Sequence, residues 1–268
     1  MHPILFEAGP LTLYSYGVLL AAAYLLGLQF AIVRARTRGL DARRVMDLGI
    51  WIIVSALLGA KLMLLVVDFR RFTQSPRDLL ELARSAGVFY GGLIAAVVVA
   101  VYYLRRHGLP LWTTTDVFAP GIALGHIVGR LGCLMAGCCF GRPTSVPWAI
   151  TFHNPVAAAN VGTPLGEPLH PTQLYEAGAE LLILAFLLRL EKLGRPFPGR
   201  TFWSYILVYA ISRFIIEFYR GDSRGMIGPL STSQFVSAIL VPVAIVMLVV
   251  LGRRYDPTRR VAAQRIAA

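Results

Sequence analysis

Seven runs of about 20 predominantly apolar residues recur along the chain, each long enough to cross a hydrocarbon core of about 30 Å as a helix rising about 1.5 Å per residue. They cover roughly 11–33, 45–67, 86–104, 115–140, 172–190, 201–219 and 232–252. A chain patterned in this way takes lipid as the solvent for most of its length. The prediction is an all-α, polytopic membrane protein of about seven transmembrane helices, forming a single membrane domain over 1–268. Composition agrees, since 56% of the residues are apolar and only 15% are charged, outside the mixture of a soluble globule. Disorder is excluded on the same ground. The three cysteines, Cys133, Cys138 and Cys139, sit in one short window, which is no framework for stapling distant loops. No Lys or Arg precedes the first run, so it lacks the basic n-region of a cleaved signal peptide and is expected to stay in the protein.

The formal charge of +12 is decided by position. Seven crossings put the termini on opposite sides. Arginines and lysines cluster at 34–44, 105–106, 189–200 and 253–265, sixteen on one side, against seven at 70–84, 142 and 220–224 on the other. The positive-inside rule then predicts an external N-terminus and a cytoplasmic C-terminus. The basic excess is largely topological and gives no reason to invoke nucleic acid. The longest polar-leaning connection, 141–171, is rich in Pro and Gly and falls on the outer side, where it is expected to form a small external cap.

Three basic residues, Lys61, Arg130 and Arg213, fall inside predicted spans. A charge near the middle of a membrane helix costs about 2.5–3.5 kcal/mol on insertion scales, so each should face the protein interior and meet a partner or a ligand. His126, Arg130 and Cys133 lie along one helical face. Around them Gly125, Gly129, Gly132, Gly137 and Gly141 each lower helix propensity by about 1 kcal/mol relative to Ala. That fits either tight helix packing or a ligand's close approach. For Arg130 one reading is a buried ion pair with Glu217 or Asp116. The favoured one is an anion clamp, because no acid shares its stripe and a guanidinium fork suits a phosphate. Arg213 and Glu217 form an i,i+4 pair that Arg220 extends. Tyr90-Gly91-Gly92 opens a helix with a poor helix-forming pair and is expected to expose backbone N–H groups, while Tyr14 and Tyr16 suit a membrane boundary. His170 to Glu176 reads as a helix start. The adjacent Cys138-Cys139 pair, without Cys-x-x-Cys spacing and flanking His, predicts packing, and no metal or cofactor is expected.

Taken together, Gly9-Pro10, Tyr16-Gly17, Gly59-Ala60-Lys61, Tyr90-Gly91-Gly92-Leu93, the stretch from Gly129-Arg130 to Gly141-Arg142, His170 to Glu176, and Arg213 to Arg220 resemble the prolipoprotein diacylglyceryl transferase family of the bacterial inner membrane, over nearly the whole chain. The resemblance implies seven spans with the N-terminus outside. It also implies transfer of the diacylglyceryl group of phosphatidylglycerol to the thiol of a prolipoprotein's lipobox cysteine, the first step of lipoprotein maturation, with glycerol phosphate leaving. Its partners would be phosphatidylglycerol, lipobox signal peptides and membrane lipids. Arg130 matches the arginine that binds the phospholipid, Arg213 and Glu217 an essential pair, and Tyr16 an important tyrosine. Gly132, Cys133 and Gly141 join Arg130 and Arg213 as the implied phosphatidylglycerol-binding residues. The sequence departs from the family at Tyr90, where a histidine is usual, and at Cys133, where an asparagine is usual. Tyr90, His126 and Glu217 are the candidate bases, with activation of the thiol by the field of Arg130 and Arg213 favoured. A related membrane enzyme with a different acceptor is the alternative; a transporter is disfavoured, since no inverted repeat is visible.

Overall fold

The computed structural model describes residues 1–9, 11–72, 82, 87–193, 196–222 and 225–255. Pro10, Arg77, Arg84, Ala86, Arg195, Arg224, Arg259, Arg260 and Arg265, used in the sequence reading, lie outside them.

The long helices are α1 (Ser15–Thr37), α2 (Ala42–Val67), α3 (Phe89–Arg106), α4 (Leu111–Ala136), α6 (Thr172–Lys192), α7 (Arg200–Ile216) and α8 (Thr232–Arg254). A short α5 (Pro155–Val161) stands between α4 and α6. A helical turn at Phe69–Phe72 follows α2 and a 3-10 turn at Glu217–Tyr219 follows α7, and there are three two-stranded pairings among the described residues: β1–β2 (Ile4–Ala8 with Leu11–Tyr14), β3–β4 (Ile150–Thr151 with Pro168–Leu169) and β5–β6 (Met226–Ile227 with Leu230–Ser231). The first apolar run was expected to be helical from residue 11, but 11–14 is strand β2.

Among the described residues, six helices are long and apolar enough to cross a membrane, α7 counting with the 3-10 turn that follows it. The seventh, α6, has 21 residues and therefore the length. It differs because Glu176, Glu180, Arg189, Glu191 and Lys192 lower its hydropathy. Glu176 and Glu180 are 3% and 1% exposed, so these charges face protein. The lipid-facing surface has the opposite character. α2 exposes Trp51, Leu57, Leu58, Leu62 and Val66, as expected of a helix whose solvent is hydrocarbon.

The chain divides into two units, Met1–Ala31 with Thr115–Ala268, and Ile32–Thr114. In the second, α2 packs closely on α3. The pair Gly91-Gly92 makes this approach possible, since a Cβ on Gly92 would stand 2.8 Å from the Ala56 carbonyl oxygen. Both glycine N–H groups donate to Val88 O. The expectation that this pair presents backbone donors outward is therefore corrected: it serves helix packing. Lys61 Nζ donates to Leu82 O at 2.8 Å, the interior partner that its place in a span demanded. Asp41 caps α2 by accepting from the N–H groups of Arg43 and Arg44.

In the first unit α1 meets α4 with backbone against backbone. A Cβ on Gly27 would sit 2.7 Å from Gly121 O, and one on Gly125 2.9 Å from Ala23 O. Asp116, buried in the first turns of α4, accepts from the N–H groups of Gly199 and Phe202 at 2.7 and 2.8 Å, which satisfies the start of α7. Ala119, Ala123, Ile183, Leu187 and Tyr205 form the core between α4, α6 and α7. Ser231 and Gln234 close a capping box on α8.

Residues 141–171 fold into a small subdomain of β3, α5 and β4 over fully buried Phe152 and Leu169, with Phe140 beneath. Asn154 caps α5. Trp148 Nε1 donates to the Tyr175 hydroxyl at 2.7 Å and ties the subdomain to α6.

Candidate functional site

Apart from Lys61, the charged span residues singled out from the sequence, Arg130 and Arg213, converge in the first unit. α4 contributes His126 and Arg130 from one face, and α6 contributes Glu176 and Glu180, also four residues apart. α7 contributes Arg213, and the 3-10 turn after it (Glu217–Tyr219) leads through Glu217 to Arg220. Glu176 is the hub. Its Oε2 meets Arg130 Nη2 at 2.5 Å, an ion pair whose alignment is poor for a hydrogen bond. Its Oε1 accepts from Arg213 Nη1 at 3.2 Å and from Arg220 Nη1 at 2.8 Å. Arg213 also pairs with Glu217 at 2.6 Å and donates to Ser233 Oγ at 2.9 Å. Arg220 is held by both oxygens of Asp222. Burial acts to lower the pKa of the Arg220 guanidinium, yet its bonds to Asp222 and the charges around it raise it above the ordinary arginine value.

His126 sits between the two glutamates. Its Nδ1 lies 2.6 Å from Glu180 Oε1, and its Nε2 accepts from Arg130 Nε at 3.1 Å. Tyr205 donates to the same Glu180 oxygen at 3.4 Å. Glu180 Oε2 is buried without a hydrogen-bond partner among the described residues. A cavity of about 10 Å³, lined by Glu176, Glu180, Tyr209, Ser212 and Arg213, lies beside it and is about the size of one water.

The sequence reading offered Arg130 either Glu217 or Asp116 as an ion-pair partner, or an anion. The structure corrects the partner. Glu217 belongs to Arg213, Asp116 to the start of α7, and the acid on Arg130 is Glu176 from another helix. Two of the guanidinium nitrogens are thereby engaged, while Nη1 has no protein partner among the described residues and the side chain is 13% exposed.

The segment after α4 is a second feature. Gly137 takes φ +81°, and a Cβ there would stand 2.8 Å from that of Ala157. Cys139 takes φ +62°, the only positive φ of a non-glycine residue among those described. A left-handed residue with a Cβ is uncommon and held only where its surroundings impose it. Here Thr172 Oγ1 donates to Cys139 O at 2.6 Å and Gln173 Nε2 to Cys138 O at 2.7 Å. The Cys133, Cys138 and Cys139 sulfur atoms lie within 4.8 Å of one another as thiols. Beyond them Gly141 donates to His170 O and bridges to Arg220. A Cβ on Gly141 would press on the His170 backbone and stand 2.8 Å from Tyr219 O. Tyr16, at the start of α1, lays its ring against Gly132, 3.4 Å from where a Cβ would be.

The structure thus brings together Arg130, His126, Arg213 and Glu217, with Gly132 and Cys133 at the end of α4, Gly141 just beyond it, and Tyr16 of α1 against Gly132. Tyr90 opens α3 in the other unit, 45% exposed, with its ring edge-on to Phe89. Sequence reasoning missed Glu176 and Glu180 as site residues. Their signal was two carboxylates four residues apart in an apolar run.

A family described as prolipoprotein diacylglyceryl transferase matches residues 3–250. Curated proteins called phosphatidylglycerol–prolipoprotein diacylglyceryl transferase are similar over nearly the full length. The protein of Clostridium tetani is 34% identical, over 91% of this chain and 96% of its own. That of Synechococcus elongatus is 31% identical, over 92% and 86%, and that of Bacillus velezensis 30% identical, over 93% and 92%.

Proposed function

The chain belongs to the prolipoprotein diacylglyceryl transferase family, and from that premise we propose how its buried charges serve the reaction. The enzyme transfers the diacylglyceryl group of phosphatidylglycerol to a prolipoprotein, and in the proposed reaction the lipobox cysteine becomes a thioether and glycerol phosphate leaves. It is a multi-pass membrane protein. The observation that carries the site assignment is the state of Arg130. Glu176 and His126 fix two edges of its guanidinium, and Nη1 stays available on the exposed side.

In this reading Arg130 Nη1 binds the phosphate of phosphatidylglycerol and stabilises the charge that grows on the leaving oxygen as the glycerol C–O bond breaks. Glu176 is a positioning residue, fixing Arg130 from behind and tying it to Arg213 and Arg220. Arg213 and Glu217 set the field next to it. His126 orients Arg130 and is poorly placed as a base, because its acceptor nitrogen already faces Arg130 Nε. Tyr16, with Gly132 and Cys133, forms the wall along which the lipid headgroup lies. Glu217 is left as an auxiliary group, with the arginine field as the main influence on the incoming thiol, whose unperturbed pKa is about 8.5.

A direct test supplies the purified protein with phosphatidylglycerol vesicles and a lipobox peptide. The peptide should gain a diacylglyceryl group, with stoichiometric glycerol phosphate. If the peptide remains unmodified while another thiol or amine acceptor gains the lipid, the acceptor assignment is wrong.

The inner membrane is the proposed location, with the N-terminus outside, the C-terminus cytoplasmic and 141–171 as the external cap of a single membrane domain. The basic last turns of α1, α3, α6 and α8 support this orientation. Asn160 lies exposed near the end of α5. An Asn160→Cys variant should therefore react with an impermeant thiol reagent in intact spheroplasts, more than it does at the native cysteines. Labelling only after lysis would reverse the topology.

A further inference from the structure

The reaction needs the acceptor thiol ionised, yet the bases that the sequence offered within the buried cluster are engaged, His126 Nε2 accepting from Arg130 and Glu217 pairing with Arg213, and Glu176 binds three guanidinium groups. The adjoining segment offers a different means. Cys133 comes from the last turns of α4. The turn at Gly137 and the left-handed Cys139 then fold the chain back, so that Cys138 and Cys139 join it with all three sulfur atoms within 4.8 Å. Zinc–thiolate bonds of about 2.3 Å in a tetrahedron set sulfur atoms about 3.8 Å apart, so small side-chain adjustments reach that arrangement. Spacing alone predicted no metal here, because Cys133-x4-Cys138-Cys139 is an unfamiliar pattern; the backbone reversal supplies what the spacing lacks.

The surroundings suit the charge of such a centre. Three thiolates around a divalent ion carry one net negative charge. Arg130 and Arg220 both interact electrostatically with Cys139, and the Tyr16 side chain with all three cysteines. The carbonyl bonds from Thr172 and Gln173 hold the two loop cysteines in register from outside, the kind of outer support that metal ligands need.

We propose that Cys133, Cys138 and Cys139 bind one Zn²⁺ as thiolates and that its fourth position takes the acceptor cysteine of the prolipoprotein. The acceptor role rests on the transferase reading above. Three protein ligands with one open position is the arrangement of a reactive zinc site, and the bound thiolate is a nucleophile at neutral pH. The acceptor S–H loses its proton on binding. Its sulfur then forms a bond to the glyceryl carbon of phosphatidylglycerol while the bond from that carbon to the phosphate oxygen breaks. The electron pair leaves with glycerol phosphate, which ends with the proton, and the neutral thioether dissociates from zinc.

The test uses the full chain in detergent, stripped with a chelator and kept reduced. Titration with Co²⁺ should saturate at one ion per chain with a thiolate-to-cobalt charge-transfer band. Zn²⁺ should displace it, and a lipobox peptide should shift the cobalt ligand-field bands. Cys138→Ser and Cys139→Ser should each weaken Zn²⁺ binding by more than about a hundredfold, beyond the loss from removing an outer-shell partner. Transfer by the stripped wild type should fall by at least about a hundredfold, as when a positioned catalytic group is lost, and return with one equivalent of Zn²⁺. Absence of the charge-transfer band in the wild type overturns the site, as does binding of Cu⁺ alone. A disulfide among the three thiols in protein prepared without chelator also overturns it. A band with transfer indifferent to chelation overturns the acceptor role. Stoichiometric Zn²⁺ and a peptide-induced shift without any lipid transfer would uphold the metal site and sink the transferase reading instead.

Discussion

Glu176→Gln should abolish transfer, by more than about a hundredfold, and leave the protein markedly less stable. Glutamine keeps the shape and size of the side chain but removes the charge shared by Arg130, Arg213 and Arg220. Whichever way the amide is oriented, its NH2 then faces an arginine N–H, donor against donor. Removing one partner of a buried ion pair costs about 3–5 kcal/mol, because the remaining charge stays buried without compensation. Glu180→Gln provides the contrast. Glu180 touches Nδ1 of His126 and the hydroxyl of Tyr205, both of which an amide oxygen can accept from, so its loss should be several times milder. Thermal unfolding in detergent and the lipid-transfer rate, measured on both variants, check this ordering. If Glu176→Gln melts with the wild type and retains more than about a third of its rate, Glu176 is no hub.

The contrast between these glutamates also shows where the sequence was readable. Helices spanning the bilayer were legible because lipid demands about 20 apolar residues per crossing, and six of the seven long helices carry that signal undiluted. α6 was found by length and by its start, but Glu176 was read as first-turn chemistry and Glu180 was not singled out. The argument that an ion inside a span must have a partner applies to carboxylates as much as to arginines. Applied to both signs, it selects Glu176 and Glu180. What no one-dimensional pattern gives is the pairing itself. Glu176 lies 37 residues from Arg213 and 44 from Arg220 along the chain, so only the packing of α6 on α7 brings them together.

Short elements were less legible for a related reason. Strand β2, at 11–14, is apolar and continuous with α1 in sequence, and hydropathy does not distinguish a strand from a helix over four residues. The cysteine cluster depends on two left-handed residues, Gly137 and Cys139. Glycine at the first is a recognisable signal, whereas a cysteine at the second is none. The Tyr90-Gly91-Gly92 motif shows the converse error. Its glycines were visible, but their use, bringing α3 onto the carbonyl of Ala56, depends on which helix lies opposite.

Arg130→Lys should be nearly as damaging as Arg130→Ala in transfer, with kcat/KM lower by about 10²–10³, the range for loss of a donor to a developing oxyanion. The geometry makes this a statement about shape. Arg130 reaches His126 through Nε at 3.1 Å and Glu176 through Nη2 at 2.5 Å, and its third nitrogen points elsewhere. A lysine has a single ammonium nitrogen at the end of a flexible stem. Its three protons radiate from one point, so once the ammonium satisfies Glu176 it cannot also hold the imidazole and meet a phosphate on the far side. Charge is conserved, however, and Glu176 keeps a cation. Stability should therefore separate the variants where activity does not: Arg130→Lys should melt close to the wild type and Arg130→Ala well below it, since the alanine leaves Glu176 short of one of its three partners. Transfer rates across phosphatidylglycerol concentrations, together with melting curves for the three proteins, give both readouts. If the lysine enzyme works at more than about a third of the wild-type rate, charge alone suffices at this position, and the planar contact with the phosphate is refuted.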